Sequence, residues 1–472
     1  MRTSKIYSIL EHFDKYEQNR FRKYLASPYF NKDETLVQLY EVLLADIGTS
    51  KRQPLEKKDV WRKLGLPKRY DDVRFRKYCS DLLKLLEGFL AQQVYESNPL
   101  HQATYLIDAV SKKKMEKLYN GTMKTARRLS EQQPHKSASY YYYQYEIEKN
   151  FYDLLNYEKK RADRTNMEDI ANNLDYFYLA EKLRMYCAVL VQQYFASQEY
   201  KLLFIDEILS HIKEIDLDQV PPVAVYYQVF LTITQKENED SYYNLKELLD
   251  QHGLKFPKQE ALSLYYFAIN YCIQKINSGN QIFAEEVFKI YNDLVNKEII
   301  FVNDELSPWD FKNIVVLALR LGKFDWTETF INKFKHKIPQ DDRENAVTYN
   351  LAQLYFYQKK YDKVIEQLQN VEYTDVTYNL NAKAMLIATY YEKEELEALY
   401  SLFESFRAYL NRHKDISLQA KKNYSNLIKF TKKLTKVNPG DQKNLAKIKT
   451  EIDATKGIVS VRWLREKITE LE

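Results

Sequence analysis

Glycine is scarce in this 472-residue chain: nine residues, beside eleven prolines. Tight turns between strands need glycine or asparagine-glycine wherever φ must be positive. Nine glycines cannot supply the turns of a large sheet, so the composition points away from β structure and toward helices joined by short connections. Cysteine is scarcer still. Cys79, Cys187 and Cys272 lie more than eighty residues apart, with no CxxC and no histidine close by. They fit small core residues in a reducing compartment, not bridges or metal ligands. No stretch approaches the roughly 18 uncharged apolar residues of a membrane span. Met1 to Ala26 is charged throughout and lacks the apolar centre of a secretory signal. The expectation is a cytoplasmic protein without a membrane span.

Motifs that carry chemistry are missing too. There is no GxxxxGK phosphate loop, no GxGxxG, no HExxH and no GxSxG elbow. The histidines (His12, His101, His135, His211, His252, His336, His413) are scattered, none at i, i+4 from another histidine or cysteine. Locally built zinc sites are therefore not expected. The acidic pairs Asp71-Asp72 and Asp341-Asp342 stand where helices should start, where carboxylates favour the positive helix end. The sequence reads as a non-enzyme without a cofactor. An enzyme whose site is assembled from distant residues stays open as an alternative.

What the chain does have is helical periodicity. Asn31 is a plausible N-cap with Glu34 three residues on, followed by Leu36, Leu39, Tyr40 and Leu43 on one face. Phe75, Tyr78, Cys79, Leu82, Leu83, Leu86, Phe89 and Leu90 keep another face for four turns. Pro54, Pro67, Pro99, Pro134, Pro221, Pro257, Pro308 and Pro339 fall between such stripes. A proline costs about 3 kcal/mol inside a helix, so these positions mark connections. The 41 tyrosines suit shallow helix-on-helix cores, because a tyrosine buries its ring while its hydroxyl finds water or a partner. The run Tyr140–Tyr143 reads as part of a helix covered on two sides, or as an aromatic binding platform.

Charge is unevenly spread: +10 over residues 1–130, −14 over 131–406 and +9 over 407–472. These blocks suggest a basic helical N-terminal region, a central helical array and a lysine-rich capping region. Charge of this kind speaks to partners and solubility, not to fold.

After residue 308 three stretches superpose. Phe324, Tyr361 and Leu396 hold the same place, 37 and 35 residues apart, each heading a second helix after a short turn. Neither helix of such a pair can bury its stripe alone, so units must stack. Tyr200, Tyr242 and Ala284 would head looser units of the same kind. In Asn350-Leu351-Ala352-Gln353-Leu354-Tyr355 and Tyr361-Asp362-Lys363-Val364 the chain resembles the tetratricopeptide repeat family. The family's small residue after the turn is Thr327, Val364 and Leu399 here, a departure from its pattern. The whole chain also resembles proteins of Bacteroidota bacteria, in its composition and the Phe21–Asn31 region, a likeness that carries no function.

The family resemblance implies an all-α superhelix of antiparallel helix pairs that holds a protein or peptide partner along a concave groove of first helices. Lys312, Val316 and Arg320 would line it in one unit. Tyr349, Asn350, Gln353, Phe356 and Tyr357 follow in the next, and Ala388, Tyr391 and Glu392 in the third. Asn350 would clamp a peptide backbone or carboxylate; Phe356 and Tyr391 serve equally well as packing between repeats. Two basic features suggest nucleic acid instead. Lys429, Lys432, Lys433 and Lys436 form a stripe at helical spacing, able to neutralise phosphates or simply to stay solvated on a capping helix. Leu55–Leu90 carries Lys57, Lys58, Arg62, Lys63, Lys68, Arg69, Arg74, Arg76 and Lys77 in a short helix, turn, longer helix order, the outline of a helix-turn-helix. A basic N-terminus ahead of such repeats resembles peptide-sensing transcription regulators, although the polar pattern of their DNA-binding domain is absent.

Overall fold

The computed structural model describes residues 1–48, 55–66, 69–157, 166–196, 200–368 and 376–472. Among them the regular structure is helical, 23 α-helices with short 3-10 turns, and no strand forms. The chain divides into two compact units, Met1–Lys182 and Leu183–Glu472. The charge blocks that part at 130 and 406 are compositional, whereas the division between compact units falls at Lys182/Leu183, inside a helix.

The first unit opens with α1 (Lys5–Glu11), α2 (Lys15–Ala26), α3 (Glu34–Ile47), α4 (Lys57–Lys63) and α5 (Asp72–Ser97). They enclose a core that includes Leu10, Phe21, Tyr40, Leu43, Trp61, Phe75 and Leu82. Asp14 and Glu17 form a reciprocal capping box at the start of α2. The cap of α3 is Asp33, not Asn31: the Asp33 carboxylate accepts from the Thr35 amide, while Asn31 braces the turn by accepting from the Asp33 amide. Asp71 caps α5, as its place in an acidic pair suggested. Next come α6 (Pro99–Lys112), α7 (Glu116–Glu131) and α8 (Ala138–Tyr157), sharing a second core of Leu100, Ile107, Tyr119 and Ile147. The tyrosine run lies on α8. Tyr143 faces that core, while Tyr141 and Tyr142 meet Tyr176 and Phe177 of α9 (Met167–Ala196). A helix covered on two sides accounts for aromatics at successive positions.

The second unit continues through α10 (Ile205–His211) and then pairs: α11 (Pro221–Thr234) with α12 (Glu239–His252), α13 (Lys258–Asn277) with α14 (Ile282–Asn296), α15 (Pro308–Arg320) with α16 (Phe324–Phe334). The pairs α17 (Gln340–Tyr357) with α18 (Tyr361–Leu368) and α19 (Val376–Glu392) with α20 (Leu396–Arg412) follow. Three helices, α21 (Leu418–Leu434), α22 (Gln442–Ala454) and α23 (Val461–Leu471), end the chain. First helices touch the first helices of neighbouring pairs: α11 with α13, α15 with α17, α17 with α19, α19 with α21. Phe324, Tyr361 and Leu396 each begin their second helix, at the spacing read from sequence. Tyr242 and Ala284 fall in the first turns of α12 and α14. Tyr200 does not head a helix; it precedes α10 in the connection.

One turn recurs between first and second helices. A residue in left-handed conformation closes the first helix: Gly279 (φ 103°), Gly322 (72°), Lys359 (59°) and Glu394 (58°). The next amide then reaches back across the last helical turn, from Lys323 to the Ala318 carbonyl at 2.9 Å, Lys360 to Tyr355 at 2.8 Å and Glu395 to Tyr390 at 3.0 Å. This is the Schellman arrangement, which satisfies carbonyls that a helix end leaves open. The return connections carry proline instead: Pro257 and Pro339 precede α13 and α17, and Pro308 opens α15. Pro54 and Pro67 lie outside the described residues.

Tyrosine hydroxyls tie the helices together. Tyr226 donates to Glu260 at 2.7 Å and Tyr266 to Asp310 at 2.8 Å, each linking one first helix to the next. Tyr424 reaches back from α21 to Asn381 at 2.9 Å. Burial pushes the Asp310 carboxyl above the ordinary range, with the Tyr266 bond pulling it part of the way back. Glu286 behaves oppositely. Burial raises it, but Lys246 and Lys289 outweigh that and hold its carboxyl below the usual value. All three cysteines are free thiols, and burial pushes Cys79 up to about 11 and Cys272 to about 12.

Candidate binding face on the first helices

Ser307 caps α15 and Pro308 occupies its first turn, which holds Trp309 at the helix entrance, the residue 64 % exposed. One turn on, the Lys312 ammonium lies 5.5 Å from the Trp309 ring and 5.6 Å from the Tyr349 ring of α17. Gln353 donates to the Tyr349 hydroxyl at 2.7 Å, and Tyr349 meets Tyr378 of α19 edge-on at 5.4 Å. The result is a continuous aromatic and cationic strip across three consecutive first helices. A cation between ring faces is attracted by their quadrupoles, so the strip is preorganised.

Of the expected groove residues, Lys312, Tyr349 and Gln353 are brought together. Arg320 is exposed at the C-terminal end of α15, and Tyr357 is 38 % exposed at that of α17. Val316 and Phe356 are half-buried. Tyr349 is only 3 % exposed, so it supports the strip from beneath and does not offer its ring to a ligand. Asn350 departs from its expected role. Its side chain is fully buried and donates to the Ala346 carbonyl at 2.7 Å one turn earlier, while its own oxygen has no partner. A side chain closed off in this way cannot clamp a peptide from outside. Ala388 is likewise buried in helix packing.

In the third unit the face is already covered, by α23. Trp463 meets Tyr391 edge-on at 5.3 Å and donates to Glu392 at 2.7 Å. Lys467, itself buried, reaches the same Glu392 carboxylate at 2.8 Å and Glu470 at 2.5 Å. Burial lowers the Lys467 ammonium, but these two carboxylates outweigh it and leave the pKa raised. The sequence offered Tyr391 and Glu392 as groove positions but gave no sign that the chain itself fills them. Trp309 was missed as well. The one available signal was its place in Ser307-Pro308-Trp309, where a helix entrance throws the second residue outward.

Part of each basic feature is paired with neighbouring carboxylates. Lys429 and Lys433 both approach Glu451 of α22, Lys429 at 4.0 Å, and Lys432 lies 3.9 Å from Glu404 of α20. Lys436 is exposed at the end of α21. In the N-terminal unit Lys57 and Arg76 share Asp72 at 3.5 and 2.5 Å, and Arg62 lies 3.4 Å from Asp59. Val60 and Trp61 of α4 and one whole face of α5 are buried in that unit's core. The stretch between α4 and α5, residues 64–71, is longer than the turn of three or four residues in a helix-turn-helix. Lys68 lies outside the described residues. Among the described residues no group of three or more His, Cys, Asp or Glu side chains is placed to hold a metal, and no helix is long and apolar enough to cross a membrane. Compared with protein-family models, curated proteins and solved structures, the chain matches none.

Proposed function

We propose that this chain is a non-catalytic binding protein, related in design to tetratricopeptide repeats, that holds a peptide or protein partner against the first helices α15 and α17. The observation that carries the reading is the Lys312 ammonium seated between Trp309 and Tyr349, beside a tryptophan left mostly in solvent. A large exposed aromatic on a rigid helix costs little conformational entropy to immobilise, and such residues anchor interfaces. Arg320, Gln353 and Tyr357 extend the contact along the same two helices. Tyr349 contributes by fixing the strip, so removing it would disturb the core as well as binding.

A pull-down with the purified full chain at low and high salt tests this, with recovered material assayed for both protein and nucleic acid. The expected result is protein retained at high salt by the wild type and lost with Trp309→Ala/Tyr357→Ala, with unchanged circular dichroism. Nucleic acid recovered only at low salt, and lost on Lys429→Glu/Lys433→Glu, contradicts the reading, because phosphate neutralisation is steeply salt-dependent.

A further inference from the structure

The turn that closes each first helix allows positions to be matched exactly between units. Two residues before the left-handed residue stand Arg320, Tyr357 and Glu392, preceding Gly322, Lys359 and Glu394. At the third of these the structure shows an occupant. The amphipathic helix α23 lays Trp463 against Tyr391 and brings an indole N–H and an ammonium to Glu392. At the first two the equivalent places are open: Arg320 is exposed, and Tyr357 presents more than a third of its surface.

The charge at the open places is opposite to that at the filled one. Arg320, Lys359 and Lys360 are exposed along this edge, with Lys363 beside them over the Tyr355 ring at 5.2 Å. Two acids beside it are engaged by other cations: Asp362 pairs with Lys393 at 2.5 Å, and Glu285 with Lys323 at 3.4 Å. This cationic edge sits within a stretch, 131–406, that is otherwise strongly acidic. Where α23 brings cations to an acid, an occupant of the edge must bring acids to cations.

We propose that the C-terminal ends of α15 and α17 form a docking edge for an acidic amphipathic helix of a partner protein, seated as α23 is seated at the C-terminal end of α19. The inference rests on the binding reading above and names the partner's chemistry. The acidic face meets Arg320, Lys359 and Lys360, and an aromatic on the adjoining face packs against Phe356 and Tyr357, as Trp463 packs on Tyr391.

The probe is a labelled peptide of the α23 sequence, Val461–Leu471, carrying Arg462→Glu, Arg465→Glu and Lys467→Glu, compared with the unaltered peptide on the full chain. The reversed peptide should bind and the unaltered one should not. Arg320→Glu/Lys360→Glu should weaken the reversed peptide about tenfold or more, the loss of about 1.4 kcal/mol, and high salt should weaken it further. Equal binding of the two peptides, no binding of either, or binding indifferent to the double variant overturns the docking edge. If in that case Trp309→Ala, which lies at the opposite end of α15, still abolishes partner capture in the pull-down, the broader reading stands while this proposal falls.

Discussion

Asp310 shows how much a single residue decides here. It is buried, its acceptor is used by Tyr266, and burial raises its pKa above the unfolded value. A carboxyl raised by folding is more protonated in the folded chain than in the unfolded one. Stability therefore falls as pH climbs from the unfolded pKa of about 3.9 through the folded value, and the loss is complete above it. Asp310→Asn keeps an acceptor for Tyr266 and carries no charge. It should raise the melting temperature at pH 7, and the gain should vanish as pH drops below about 4. Asp310→Ala should instead lower the unfolding free energy by about 1–3 kcal/mol, and with it the melting temperature, since the Tyr266 hydroxyl loses its partner. Thermal melts across pH check both. The tyrosine-rich composition was legible in advance as a sign of shallow helix contacts, but which hydroxyl meets which acid was not. Tyr266 and Asp310 are 44 residues apart, and their register depends on how two first helices pack. Asn350 was misread for a related reason. Its place on a first helix was plain, whereas its burial follows from how closely neighbouring helices approach.

At the scale of elements, the helix-pair turn was the most legible feature. Phe324, Tyr361 and Leu396 mark it because a short turn and an amphipathic helix leave a local trace. The turn places Lys359 and Glu394, two exposed side-chain-bearing residues, in left-handed conformation, where Cβ crowds the backbone. Gly322 shows the residue that fits. Lys359→Gly and Glu394→Gly should each stabilise the chain by about 0.5–1 kcal/mol in urea unfolding, without changing the slope. The docking of α23 was illegible, since Trp463 and Glu392 are 71 residues apart and meet only through the fold. Lys467→Ala should destabilise by about 3 kcal/mol, because it strips a partner from a charge group held against protein. Lys467→Met with Glu392→Gln should cost less than Lys467→Ala alone: the indole keeps an acceptor, and the one carboxylate left without Lys467, Glu470, is half exposed to water. Comparing the single and double variants in one unfolding series distinguishes loss of the pair from loss of packing.

For the whole molecule, helical class followed from the scarcity of glycine, the placement of prolines and the periodicity of apolar residues, all of which act locally. The division into two compact units did not follow, because it falls within a continuous helix and no proline, glycine or charge boundary marks it. The candidate face lies between these cases. Most of its residues, though not Trp309, were named from repeat register, but which of them reach solvent was settled by packing: Tyr357 outward, Tyr349 beneath, Asn350 sealed. The central claim is that a partner lies on α15 and α17, and hydrogen exchange of the full chain with and without the captured partner tests it most directly. Exchange slowed along α15 and α17, and unchanged at α4, α5, α21 and α22, is the predicted result; slowing confined to the basic helices α4 and α5, or α21 and α22, would contradict it.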